Sequence, residues 1–183
     1  MDTFSHAAWG YAVLSRLPAR VAVAGAIAGA APDLLFFIPS KVEQIAELGW
    51  RRGLSIGGEP GIWRAEGPPL PPELVEAYWR YYVWTHSLLV LAAALAVGWV
   101  VARRDRRWLW LGAPYALHIL MDIPTHERYR TQPFYPLWDW QFPGLSWGDP
   151  RIFWPHLIVL VSVYVWLWNG RRRAAASRVE QET

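Results

Sequence analysis

His118 and Asp122 stand four residues apart in Ala116-Leu117-His118-Ile119-Leu120-Met121-Asp122, inside a strongly apolar run. On a helix that spacing puts both on one face, with Cβ atoms about 5–6 Å apart. An imidazole nitrogen and a carboxylate oxygen so placed can share one metal ion. Both groups are costly in a lipid-buried helix, roughly 2.5–3.5 kcal/mol for an acid at its centre, so something must offset them. Three more polar side chains occur in similar surroundings: Asp33 in Gly29-Ala30-Ala31-Pro32-Asp33, His86 in Trp84-Thr85-His86-Ser87, and His6 near the start. The chain has no cysteine, so the donors are nitrogen and oxygen. Such a set suits Zn²⁺ and also accommodates Mn²⁺ or Fe²⁺. Three imidazoles and two carboxylates exceed what one tetrahedral ion uses, so one or two divalent ions are expected. A two-ion centre with a bridging carboxylate activates water and clamps both oxygens of an ester or phosphodiester displacement.

His126 follows Asp122 by four residues, but Pro124 intervenes and predicts a helix end near Ile123. His126 then lies just above the cluster, as a ligand, a lip residue or, with Asp122, an acid/base group. His156 follows Pro155 with no partner in sequence and is expected to be structural. Thr85 and Ser87 flank His86 and either orient it or bond back within the helix. Arg80, Arg128, Arg130 and Arg151 either meet an anionic headgroup, because the guanidinium fork matches phosphate oxygens, or serve as solvated interface anchors. The Gly25-x-x-x-Gly29 pair predicts that another helix packs closely there.

These residues need elements to carry them, and composition narrows the choice. Hydrophobic residues make up 54% of the 183 and charged residues only 18%, too few to cover a water-soluble surface easily. The 14 Trp suit the membrane–water interface, where a ring is half apolar and half wet. All but Lys41 of the 18 basic residues are Arg, clustered beside apolar runs. The net charge of +3 therefore marks membrane flanks, and no nucleic-acid partner is expected. No cleavable leader is expected either.

Four long apolar segments run over 21–38, 84–102, 108–123 and 152–168, and a weaker one over 3–17 ends at Leu17-Pro18. The expected fold is an all-α, integral-membrane bundle of four to five transmembrane helices, one domain over 1–173 with a short polar tail over 174–183. Residues 73–83 are expected to continue straight into the helix carrying His86, and residues 41–50 to form a separate surface helix. Residues 53–72 suggest irregular coil. The aromatic stretch 134–154 is either a cap over the site or an interfacial belt. Arg16 and Arg20, Arg103 to Arg107, and Arg171 to Arg173 fill short turns and mark the cytoplasmic side. Counting from those turns at about 1.5 Å per residue, His6 and His118 lie roughly 16 Å up, Asp33 roughly 20 Å, Asp122 roughly 22 Å and His86 roughly 24 Å. All five therefore meet in the outer half of a cell membrane, provided the N-terminus is outside.

At these residues the chain resembles the membrane-bound metal-dependent hydrolases of the YdjM type. That family shows an early His, a Gly-Ala-x-x-Pro-Asp stretch, a Thr-His-Ser at a helix start and a later His-x-x-x-Asp. Here these correspond to His6, Gly29-Ala30-Ala31-Pro32-Asp33 with one residue fewer between Ala and Pro, Thr85-His86-Ser87, and His118 with Asp122. The family's second Asp soon after Pro-Asp is replaced here by Leu34-Leu35-Phe36. The ligand order is also distantly similar to zinc-dependent phospholipase C, and that likeness is the source of the phosphoester expectation. Together they imply a membrane metal-dependent hydrolase acting on a lipidic or membrane-associated ester, with oligomeric state left open. Two other classes compete: a non-catalytic scaffold stapled by metal, and an ion transporter. The second needs polar residues continuing toward the cytoplasm, and the inner helix halves are apolar.

Overall fold

The computed structural model describes residues 1–55, 71–127 and 130–182. Most of the coil expected over 53–72, and Arg128, lie outside the described residues. Among them the fold is helical, without strands.

Helix α1 (Thr3–Leu14) begins at Asp2, whose carboxylate accepts from the Ser5 amide at 2.9 Å, a strong N-cap. After the turn at Pro18 the chain reverses into α2 (Ala19–Leu48). Both prolines of α2, Pro32 and Pro39, are contained within the helix, which runs on to Gly49 at φ +78°. The separate surface helix expected after Ile38 is thus the continuation of α2. Each proline removes one backbone bond, a loss that packed apolar helices tolerate; beside Pro39 the Ser40 hydroxyl bonds back to the Phe36 carbonyl at 2.7 Å. A short α3 (Trp50–Ser55) follows.

Helix α4 (Pro72–Thr85) starts on a proline, where the missing N–H costs nothing. It does not continue straight. The chain breaks at His86-Ser87 and resumes as α5 (Leu88–Val101), bent by 59°. Ser87 causes the restart: its hydroxyl oxygen accepts from the Leu89 and Val90 amides, an N-cap that favours extended geometry at the cap itself. A 3₁₀ turn over Arg106–Leu111 precedes α6 (Gly112–Thr125), so the regular helix carrying His118 begins later than expected. It also ends later, with His126 rather than Ile123 as its last flank. Helix α7 (Pro150–Glu182) extends well past Trp168 and takes in the expected polar tail.

α2 and α7 are each long and apolar enough to cross a membrane, and the bent α4–α5 pair is a third if it counts as one span. α1, α5 and α6, with 12, 14 and 14 residues, are shorter than the roughly 20 needed to cross. α1 packs on α2 as an antiparallel hairpin, α6 packs against both, and α4 also packs on α2. Phe36, Tyr78, Tyr82 and Val83 form a buried cluster between α2 and α4. No described residue of α7 is buried; it leans on α1 through a Trp9–His156 hydrogen bond and a Tyr164–Ala8 carbonyl bond.

The segment after α6 is pinned across the α4–α5 break. The Leu88 amide donates to the Pro133 carbonyl at 2.9 Å, Ser87 Oγ donates to the Tyr135 carbonyl at 2.6 Å, and Thr131 and Tyr82 share a hydroxyl bond of 2.8 Å. The residues that cover the break lie just before the aromatic stretch 134–154, whose own first residues, 134–140, are exposed or half-buried. Thr131 to Pro133 are buried over the helix break, while Leu137 and Trp138 are exposed.

Candidate metal centre

Four helices deliver the five predicted ligands to one place. α1 brings His6, α2 brings Asp33, α6 brings His118 and Asp122, and His86 stands at the end of α4. All five are buried, with His86 and Asp122 at 0% exposure. One donor atom from each of Asp33, His86, His118 and Asp122 lies within 4.8 Å of the others.

Local backbone structure sets the direction of each imidazole. His118 Nδ1 is 2.7 Å from the Gly29 carbonyl. A carbonyl only accepts, so Nδ1 carries the proton and Nε2 turns inward. The break after Thr85 does the same for His86: its Nδ1 lies 3.1 Å from the Tyr82 carbonyl and 2.9 Å from Thr85 Oγ1. Thr85 therefore both bonds back to the Tyr81 carbonyl and touches the histidine. The two Nε2 atoms then face each other at 3.1 Å. Two lone pairs cannot bond to one another, so this arrangement requires a proton or a cation between them. Asp122 Oδ2 is 3.2 Å from His118 Nε2 and 3.4 Å from His86 Nε2. Yet that oxygen is buried with no hydrogen bond among the described residues. Asp33 Oδ1 lies 3.6–3.7 Å from the same two nitrogens. Two imidazoles and two carboxylates converging in this way fit a divalent cation.

The other oxygen of Asp122 faces a different group. Oδ1 is 3.0 Å from His6 Nε2, 3.5 Å from His126 Nδ1 and 2.6 Å from the Met1 nitrogen. His6 stacks on His118 with ring centroids 3.5 Å apart, and its Nδ1 is buried without a hydrogen-bond partner among the described residues. His6 is thus beside the four-residue group but on the far side of Asp122. His126, at the end of α6, shares that side.

Asp33 is held by Thr3, whose hydroxyl donates to Oδ2 at 2.7 Å. Tyr82 stacks on His86 at 4.0 Å, and Tyr115 donates to the Thr85 carbonyl at 2.8 Å. No spacing or motif singles out Thr3, Tyr82 or Tyr115, since each meets its partner only through the tertiary fold or the helix break. Close helix approach makes the convergence possible: a Cβ at Gly29 would lie 2.5 Å from the His6 carbonyl oxygen, and one at Gly25 would lie 2.6 Å from that of Gly10. The partner expected for Gly25 and Gly29 is α1.

Other candidates fall outside the cluster. His156 accepts from Trp9 Nε1 at 3.0 Å and is structural. Arg80 is exposed on α4 and lies over the Tyr81 ring, and exposed Arg130 bonds weakly to the Glu127 carbonyl.

No curated protein and no solved structure matches the chain, so the phospholipase C likeness rests on ligand order alone. The sequence model of the YdjM inner membrane protein family matches residues 1–179. That match spans every ligand-bearing helix described above, and with it the chain belongs to the YdjM inner membrane protein family.

Proposed function

We propose that this protein is a membrane-embedded, metal-dependent hydrolase of a lipidic or membrane-associated ester, with a phosphoester the preferred class. The observation that carries the reading is the pair of inward-facing Nε2 atoms beside two carboxylates. Asp33, His86, His118 and Asp122 would hold the first ion, with Zn²⁺ the best match to the donors. Asp122 Oδ1 and His6 would serve a second ion, which makes Asp122 the bridging carboxylate. Bound there, a divalent cation acidifies water and polarises an ester or phosphoryl oxygen.

The chain's own residues supply the rest. His126 Nδ1 lies 3.2 Å from the Asp122 carbonyl, and the imidazole would hold or release the leaving-group proton. The pinned segment 131–135 excludes water from the His86 side. Arg80, about 9 Å along α4 from His86, and Arg130, with Arg128, would meet an anionic headgroup. The topology we propose is multi-pass, with four to five crossings, the arginine turns cytoplasmic and the site toward the outer face.

The burial of all the ligands supports a second reading, a coordinatively closed ion that only staples the helices. Metal analysis of purified protein, beside His118→Ala and Asp122→Ala, tests both, followed by a panel of phospholipids and phosphodiesters with and without chelator. Chelator-sensitive turnover supports the hydrolase. Stoichiometric metal with no turnover on any substrate favours the staple. Wild-type protein without stoichiometric metal defeats both.

A further inference from the structure

The opposite end of α1 carries a second site built from different chemistry. Ten residues beyond His6, about 15 Å along the helix, Arg16 and Arg171 flank a cavity of about 370 Å³ between α1 and α7, with Trp166, Leu167 and Ser15 among its walls. An adjoining cavity of about 330 Å³ shares Leu167 and Arg171 and continues along Tyr11 and Tyr164 toward the apolar middle of α7. Arg16 lies over the Trp166 ring at 4.9 Å. Arg171 donates through one terminal nitrogen to Tyr11 Oη at 3.1 Å, which anchors its guanidinium at the mouth.

Charge at this end is uncompensated. Between Asp2 and Asp33, and between Asp149 and Glu180, the sequence has no acidic residue. Arg16, Arg20, Arg171, Arg172 and Arg173 form no ion pair among the described residues. Two guanidinium groups at the mouth and an aromatic, apolar trough leading inward match a phosphate joined to an acyl chain. Basic pockets between membrane helices favour acidic headgroups in this way.

We propose that the α1–α7 cleft at the arginine-rich end binds one anionic phospholipid, its phosphate between Arg16 and Arg171 and an acyl chain along Tyr164 and Leu167. The lipid fills the cleft beside a helix that buries no described side chain of its own. None of these residues touches the metal-site ligands.

The test is native mass spectrometry of the full chain with phosphatidylglycerol, phosphatidylcholine or inorganic phosphate as the probe. Wild type should retain one phosphatidylglycerol in preference to phosphatidylcholine. Arg16→Gln with Arg171→Gln should weaken that retention about tenfold or more. Arg172→Gln with Arg173→Gln, the same charge change outside the cleft, should leave it within about twofold of wild type. Unchanged metal content or melting in detergent shows that each variant is folded. Should the double variant fail that check, Arg171→Lys alone keeps the charge and loses the fork, and should still weaken retention. Equal loss in both double variants would reduce the effect to surface charge and overturn the proposal. Equal retention of phosphatidylcholine, full competition by inorganic phosphate, or a second protein copy that departs on the Arg16 and Arg171 changes would overturn it as well.

Discussion

Gly29→Ala offers a sharp test of how the candidate metal centre is assembled, because the substitution adds one methyl group and changes no ligand side chain. The new Cβ would lie 2.5 Å from the His6 carbonyl oxygen and 3.1 Å from Gly10 Cα. A relaxed carbon–oxygen contact is about 3.3–3.6 Å, so α1 must retreat by roughly 1 Å at His6. The His6 Nε2 to Asp122 Oδ1 distance of 3.0 Å would then open to roughly 4 Å, whereas metal sites tolerate only about 0.2 Å of error. Overpacking of this kind costs about 1–3 kcal/mol. Melting should fall by roughly 2–4 °C for each of those kcal/mol, and metal affinity should fall as far as in His6→Ala. Gly170→Ala is the control, since nothing lies within 4 Å of its Cβ and alanine favours the helix. Competition with a chromophoric chelator, read beside thermal melting, gives both quantities. If Gly29→Ala binds metal as wild type does while His6→Ala does not, helix approach is not what positions His6.

Other outcomes follow from the same geometry. Chelation of the wild type should lower its melting temperature, and His118→Ala or Asp122→Ala should abolish that response, because binding to the folded state alone is what couples metal to stability. Thr3→Val removes the hydroxyl bond to Asp33 and should weaken metal binding about 10–100-fold, as read by metal titration. Tyr82→Phe keeps the ring on His86 but strands the buried Thr131 hydroxyl, and should cost about 1–3 kcal/mol in chemical denaturation. Asp149 accepts from the Arg151 amide at 2.8 Å and from its guanidinium, and the Arg151 bonds hold its pKa down to about 2. A depressed carboxyl stabilises the fold above its unfolded pKa, and that contribution disappears as pH falls through the folded value. Acid fraying of the start of α7, followed by amide exchange, should therefore set in between about pH 4 and pH 2 and be absent in Asp149→Asn.

The clustering of these polar side chains was legible in the sequence because helix period and membrane cost act locally. His118 and Asp122 share a helix face whatever surrounds them, and an acid such as Asp33 within an apolar run needs a partner. Depth counting from the arginine turns then placed His6 and His86 at a similar level, and in the fold both lie against the His118–Asp122 face of α6. The helix boundaries were less legible. Pro32, Pro39 and Pro124 are strong stop signals in water, but packed apolar helices accommodate them. The break at His86-Ser87 lay hidden inside a continuous apolar run, and only the cap formed by Ser87 and the bonds from the 133–135 segment fix it. Thr3 meets Asp33 across 30 residues, a contact no periodicity can foretell.

The order of the chain has its own consequence. His6, Asp33, His86, His118, Asp122 and His126 are all made before the first residue of α7, none of whose described side chains joins the cluster or is buried. During synthesis, where chains fold from the N-terminus onward, the cluster can close while the ribosome is still adding the residues beyond His126. The last helix then arrives as a separate stave against an already assembled core.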